Sequence, residues 1–198
     1  WHSESKVLSY LERFGVPFFS FNTDLYQLEQ DGNPSPREDY KNWLGHLSPD
    51  YYYATARLLE NLVAKSRQRG HKKVNILAVN GNHKSITSYV RQQALFSNLT
   101  AMPGVSLLQE IKTDWSLDDS YRKTRLLLKR FDDIDIIWAA SDELAIGAIK
   151  AIQKESDRKL ENMVVGGYDW VYPDFPKDLV RHLNFSVGGH LLDGAIVL

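Results

Sequence analysis

Ile136-Ile137-Trp138-Ala139-Ala140-Ser141-Asp142-Glu143-Leu144-Ala145-Ile146-Gly147-Ala148-Ile149-Lys150-Ala151-Ile152 is the stretch on which the fold turns. Its first residues form a short apolar run of strand length. Ser141 is then a good N-cap, Asp142 and Glu143 place negative charge on a first helical turn where the helix dipole favours it, and the Ala, Ile and Leu positions that follow recur at helical spacing. The segment therefore reads as strand, polar corner, helix. About 25 residues later the corner recurs as Met163-Val164-Val165-Gly166-Gly167-Tyr168-Asp169-Trp170. In open α/β sheets, polar side chains where a strand hands over to a helix are where ligands bind.

Working outward, strand and helix patterns alternate along the chain. Strands are predicted at 16–21, 74–79, 105–111, 135–139, 163–167 and 185–187, with helices near 1–14, 49–69, 85–99, 117–131, 141–155 and 173–182. Regular alternation with short connections implies right-handed βαβ units, hence a mostly parallel sheet covered by helices on both faces. The segment 22–47 breaks this rhythm. It holds Gly32-Asn33-Pro34-Ser35-Pro36, several charges, Tyr26, Tyr40 and Trp43, with too little apolar periodicity for a core element. It reads either as a surface excursion pinned by Trp43 and Leu44 or as a segment joining two lobes.

With 198 residues, 43% of them hydrophobic and 25% charged, the chain has the composition of a globular protein with one large domain or two small lobes. A formal net charge of −1 gives no general attraction to nucleic acid or to an anionic membrane. The basic run Arg67 to Lys73 suits a helix end feeding a strand. The absence of cysteine excludes a disulfide scaffold and thiolate chemistry, and fits cytoplasm and periplasm equally. No apolar run approaches the roughly 20 residues of a membrane span, and no signal-peptide pattern opens the chain. The ends read as those of a fragment, since Ala195-Ile196-Val197-Leu198 stops inside an apolar helical pattern with no C-cap.

The two corners together resemble those of the type I periplasmic binding protein and LacI-type sensor superfamily, whose second lobe carries a similar "DE-x-A-x-G-A" corner followed by "VVG-x-D". The resemblance implies three-layer α/β/α lobes. It places a partial first lobe and crossing at 1–47, a second lobe at 48–187 and a return crossing at 188–198, with the first lobe truncated. Val16 to Thr23 looks like the "IPV-x-x-x-D-R" strand of the ribose-binding branch, which puts Asn22 and Thr23 at the polar pair that holds sugar hydroxyls. The helix start around Ser88 to Leu95 resembles the family's "R-x-x-G-F", making Arg91 the cleft arginine. Trp115 falls where the family stacks an aromatic on its ligand, Ser141 where many sugar binders have Asn, and Asp169 where the second corner supplies an acceptor. The return crossing puts Gly188 where ribose binders present a Gln, with no side chain to substitute.

These residue types suit a sugar, which offers hydroxyls as donors and acceptors along its edge and an apolar C–H face. By resemblance, the chain is a solute-binding protein of the periplasm that captures a sugar in an inter-lobe cleft for ABC-type uptake, with hinge closure docking it on a membrane permease. A ligand-sensing domain of a signalling protein or of a LacI-type transcriptional regulator is the alternative output. An α/β enzyme whose site lies outside this stretch, and an interaction module using Tyr51-Tyr52-Tyr53, are readings from other classes. Against an enzyme, neither a Gly-x-Ser-x-Gly elbow nor a Gly-x-Gly-x-x-Gly turn is present, and Val79 to Ser85 lacks phosphate-loop glycine spacing. The six histidines never fall at metal-ligand spacing, so neither metal nor cofactor is expected, nor a nucleic-acid partner within this stretch. An unpaired strand edge near 16–21 leads to the expectation of a dimer of fragments.

Overall fold

The computed structural model describes residues 2–21, 35–155, 160–170 and 175–188. They fall into two compact units, one among the residues up to Pro49 and one from Asp50 to Gly188. Among the described residues no helix is long and apolar enough to cross a membrane.

The first unit opens with α1 (His2–Arg13), followed by β1 (Phe18–Phe21) and β2 (Trp43–Leu47), which pair in parallel. The second strand corrects the sequence reading, which placed no core element there. Trp43 decides it: the indole is buried, stacks on Phe18, and donates its Nε1 hydrogen to Ser20 Oγ at 2.8 Å. Leu44, expected to pin the segment beside Trp43, is instead exposed. Asn42 is tied to α1, its backbone N–H donating to Glu12 Oε2 at 2.8 Å.

The second unit is built from α2 (Tyr51–Gln68), β3 (Val74–Asn80), α3 (Ile86–Thr100), β4 (Val105–Lys112), α4 (Leu117–Arg130), β5 (Ile136–Ala139), α5 (Asp142–Lys154), β6 (Val164–Tyr168), α6 (Lys177–Val180) and β7 (Phe185–Val187). All five strands are parallel, in the order β4-β3-β5-β6-β7. The helix expected at 173–182 is a single turn within the described residues, beginning after Pro176.

Four helices start on the same device, a side chain that accepts from the backbone N–H three residues on: Asp50 from Tyr53, Ser85 from Ser88, Ser116 from Asp119 and Ser141 from Leu144. Each such cap is worth about 1 kcal/mol. Central β5 is entirely buried, as a parallel strand covered on both faces must be, and its Ile-Ile-Trp-Ala sequence is correspondingly continuous in hydrophobicity. The glycine pair of β6 shows the layering directly, because neighbouring residues of a strand face opposite sides. A β-carbon on Gly166 would stand 2.9 Å from Leu58 Cδ1 and Leu62 Cδ2 of α2. One on Gly167 would stand 2.6 Å from Asp142 Oδ1 at the start of α5. The sheet thus lies between α2 with α3 on one side and α4 with α5 on the other.

In this strand order the chain leaves β3 toward β4 and later leaves β5 in the opposite direction. The carboxyl ends of β3 and β5 therefore flank a topological switch point, where the two connections diverge and leave a crevice.

Candidate functional site

At that crevice the sheet ends in polar residues. Asn80 closes β3 with its side chain fully engaged: Nδ2 donates to Ser88 O at 3.0 Å and Glu110 Oε1 at 2.7 Å, while Oδ1 accepts from Gly81 N and Ser88 Oγ. Asn80 is thus a rigid post. The chain beyond β4 is laced to it, Thr113 donating from both N and Oγ1 to Asn80 O.

From this post Trp115 projects back over Gly81. A β-carbon on Gly81 would fall inside the indole, so only glycine lets the ring lie on the backbone there. Trp115 itself holds φ at 73°, a conformation that disfavours a bulky side chain. Four described non-glycine residues adopt positive φ: Arg37, Trp115, Asp169 and Trp170. Three of these sit at the carboxyl edge of the five-stranded sheet, and backbone strain of that kind persists where the surroundings over-determine it, commonly at functional sites.

Arg91 comes from α3 and lies across the switch point. Its Nη2 donates to Asp169 Oδ1 at 3.0 Å, its Nη1 donates to the carbonyl of Ala140 at the end of β5, and its guanidinium carbon sits 5.0 Å from the Tyr51 ring centroid and 4.6 Å from that of Tyr168. Arg91 is only 6% exposed, whereas the Asp169 side chain is 34% exposed. The Tyr168 hydroxyl is hydrogen-bonded to Thr55 Oγ1 at 2.7 Å, and burial pushes its pKa from 10.0 up to about 12. It is a neutral phenol at any ordinary pH.

The β6 corner continues with Trp170, whose ring lies on Gly188 as Trp115 lies on Gly81. Its Nε1 donates to Ser186 O at 2.9 Å, and Ser186 Oγ donates to Asp142 Oδ2 at 2.8 Å. Asp169 is held from the same side, its backbone N–H donating to Val187 O.

The expected site residues therefore separate into groups. Arg91 and Asp169 are brought together as an ion pair, and Gly188 lies beside them under Trp170. Trp115 stands at the β3–β4 end of the same edge. Ser141 is buried and its hydroxyl caps α5, the role its sequence position alone assigned it. Asn22 and Thr23 lie outside the described residues, as does the apolar tail from Gly189. Sequence reasoning missed Tyr51, Tyr168 and Trp170. Tyr51 was grouped with Tyr52 and Tyr53 as a surface, yet it is buried while its two neighbours are exposed. An apolar helix face that includes Tyr51, Thr55, Leu58, Leu59 and Leu62 was the available signal. Among the described residues no group of three His, Asp or Glu side chains gathers to hold a metal ion.

The model of the periplasmic binding protein domain matches residues 5–170. No curated protein sequence matches the chain significantly. Among solved structures, a periplasmic sugar-binding protein from Pseudomonas fluorescens superposes with a TM-score of 0.75 at 23% identity, over 97% of this chain and 55% of that one. The fructose-binding periplasmic domain of a hybrid two-component system gives 0.73 at 18% identity, over 98% and 59%. A twin-arginine translocation pathway signal protein from Burkholderia phytofirmans gives 0.70 at 22%, over 86% and 50%. The chain thus spans about half to three-fifths of the length of the solved structures it matches.

Proposed function

The chain belongs to the periplasmic binding protein domain family, and from that premise we propose that it captures a small polyhydroxy solute, a sugar foremost, at the carboxyl edge of its five-stranded sheet. The observation that carries the reading is the ion pair of Arg91 and Asp169 at the switch point, with a half-exposed carboxylate on the open side and the strained Trp115 farther along the same edge. A carboxylate accepts hydroxyl hydrogens, and an indole face covers the C–H face of a pyranose or furanose. Matching structures with bound L-arabinofuranose and D-allose, and that of a galactofuranose binding protein, support the ligand class. The role is binding rather than turnover.

Export to the periplasm and delivery to a membrane permease complete this reading. Sensing is the second output, favoured by the match over 98% of the chain to a periplasmic domain of a two-component system. A thermal-shift screen of pentoses, hexoses and polyols, followed by calorimetry on the responders, tests capture. A ligand present at 100 times its Kd adds about 2.7 kcal/mol of stability, which such a screen reads easily. No response to any member of the panel would remove sugar capture as the function.

A further inference from the structure

A tryptophan at φ 73° is a strained choice, because glycine or asparagine takes that conformation with less strain and a bulky side chain rarely adopts it. What Trp115 brings that those residues lack is its ring, laid on the backbone of Gly81. The corner that carries the ring is braced on both sides. Asp114 donates its backbone N–H to Asp119 Oδ2 at 3.1 Å, and Asp114 Oδ1 accepts from Ser116 N at 2.9 Å. Between them the Trp115 N–H donates to Thr113 Oγ1 at 3.2 Å, and the same hydroxyl donates its own hydrogen to Asn80 O at 2.8 Å. Thr113 is 4% exposed, which shields both bonds from competition by water. One hydroxyl therefore joins the last carbonyl of β3 to the residue whose indole covers Gly81, the next residue along the chain from that carbonyl.

We infer that Thr113 is a positioning residue: its hydroxyl, anchored on Asn80 O, holds Trp115 in the left-handed conformation that lays the indole on Gly81, so that the platform is formed before a solute arrives. The ligand half of the inference rests on capture at this edge. A ring face already in place needs no ordering when the solute binds, and that improves affinity. Thr113 itself touches no solute and acts through Trp115.

The place of the ring is read without ligand, by NMR. The α-hydrogen of Gly81 that points into the indole is expected far upfield of the ordinary glycine range in the unmodified chain, and Trp115→Ala identifies it by abolishing the shift. Thr113→Val keeps the branched shape, leaves Asn80 O the bond from Thr113 N, and removes both bonds of the hydroxyl. It should move the Gly81 signal most of the way to its position in Trp115→Ala, whereas Thr113→Ser should keep it in place. Thr113→Ala substitutes for Thr113→Val if that chain does not fold. A Gly81 signal unmoved by loss of the hydroxyl, or one not shifted in the unmodified chain, overturns the inference.

Calorimetry with L-arabinose and D-allose tests the consequence for binding. Thr113→Val is expected to weaken binding by roughly three- to tenfold, but by less than about twofold when Trp115→Ala is already present, because residues that act through one another are non-additive. Thr113→Ser should restore the affinity of the unmodified chain. A loss as large without the indole as with it gives Thr113 a general structural role and overturns the inference. A Trp115→Ala chain that binds as tightly as the unmodified one leaves capture standing and overturns the inference as well. If neither sugar binds the unmodified chain, capture of these sugars falls, and the Gly81 signal decides whether Thr113 positions the ring.

Discussion

The indole of Trp115 rests on the backbone of Gly81, in a space that any β-carbon at Gly81 would occupy. The two residues come from the ends of adjacent strands, and Thr113 ties the loop of one to the last carbonyl of the other. The platform is thus set by the sheet rather than by the loop alone.

Gly81→Ala is expected to push the indole off the edge while leaving the core intact. Trp115→Ala removes the platform outright. Loss of a stacking face costs on the order of 1 kcal/mol, so each variant should weaken binding of a responding sugar by roughly five- to tenfold. Calorimetry reads the affinity, and the shift of tryptophan emission on Gly81→Ala reports the displaced ring. Unchanged affinity in both would place the ligand away from Trp115.

Ser141 separates capping from ligand contact. Its hydroxyl accepts from Leu144 N at 3.2 Å, so Ser141→Ala should cost about 1 kcal/mol in urea denaturation, and Ser141→Asp, another good cap, should recover most of it. Sugar affinity that fell sharply in Ser141→Asp at full stability would assign the hydroxyl to the ligand instead.

Tyr168 links the packing around Arg91 to pH. Its folded pKa of about 12 lies above the ordinary phenol value of 10.0, so between these values the native state holds the proton that the unfolded chain releases. The stabilisation is fully present below pH 10 and is lost as pH rises through about 12, amounting to on the order of 2–3 kcal/mol. Urea denaturation from pH 9 to 12 should show the unmodified chain losing that much relative to Tyr168→Phe. Parallel pH profiles of the two would contradict the burial of the phenol.

Gly147 tests the far layer. A β-carbon there would collide with Leu117 O and stand 2.8 Å from Ser120 Cβ, where α4 and α5 pack. Gly147→Ala is expected to destabilise the chain by about 1–3 kcal/mol through overpacking, with sugar affinity preserved because the contact lies behind the sheet edge. Chemical denaturation paired with calorimetry checks both halves. Neutral or improved stability would show that α4 and α5 can slide apart at little cost.

What the sequence determined by itself was local in its physics. The alternation of strand and helix, the serine cap at Ser141, and the continuous apolar run of β5 all follow from interactions within one or two turns, so periodicity and side-chain chemistry report them. The strand at Trp43–Leu47 escaped because five residues with little alternation become a strand only by pairing with β1 across a long connection. The strand order is equally non-local, and with it the position of the switch point. The site shows the same division: Arg91, Trp115 and Asp169 could be picked out by residue type and place along the chain, but not the state in which each is held. Arg91 and Asp169 stand 78 residues apart in sequence, and the rings that enclose the guanidinium arrive from the start of α2 and the end of β6. Whether an arginine offers its donors to solvent or spends them on a neighbour depends on what buries it, and burial is decided only when the helices close over the sheet.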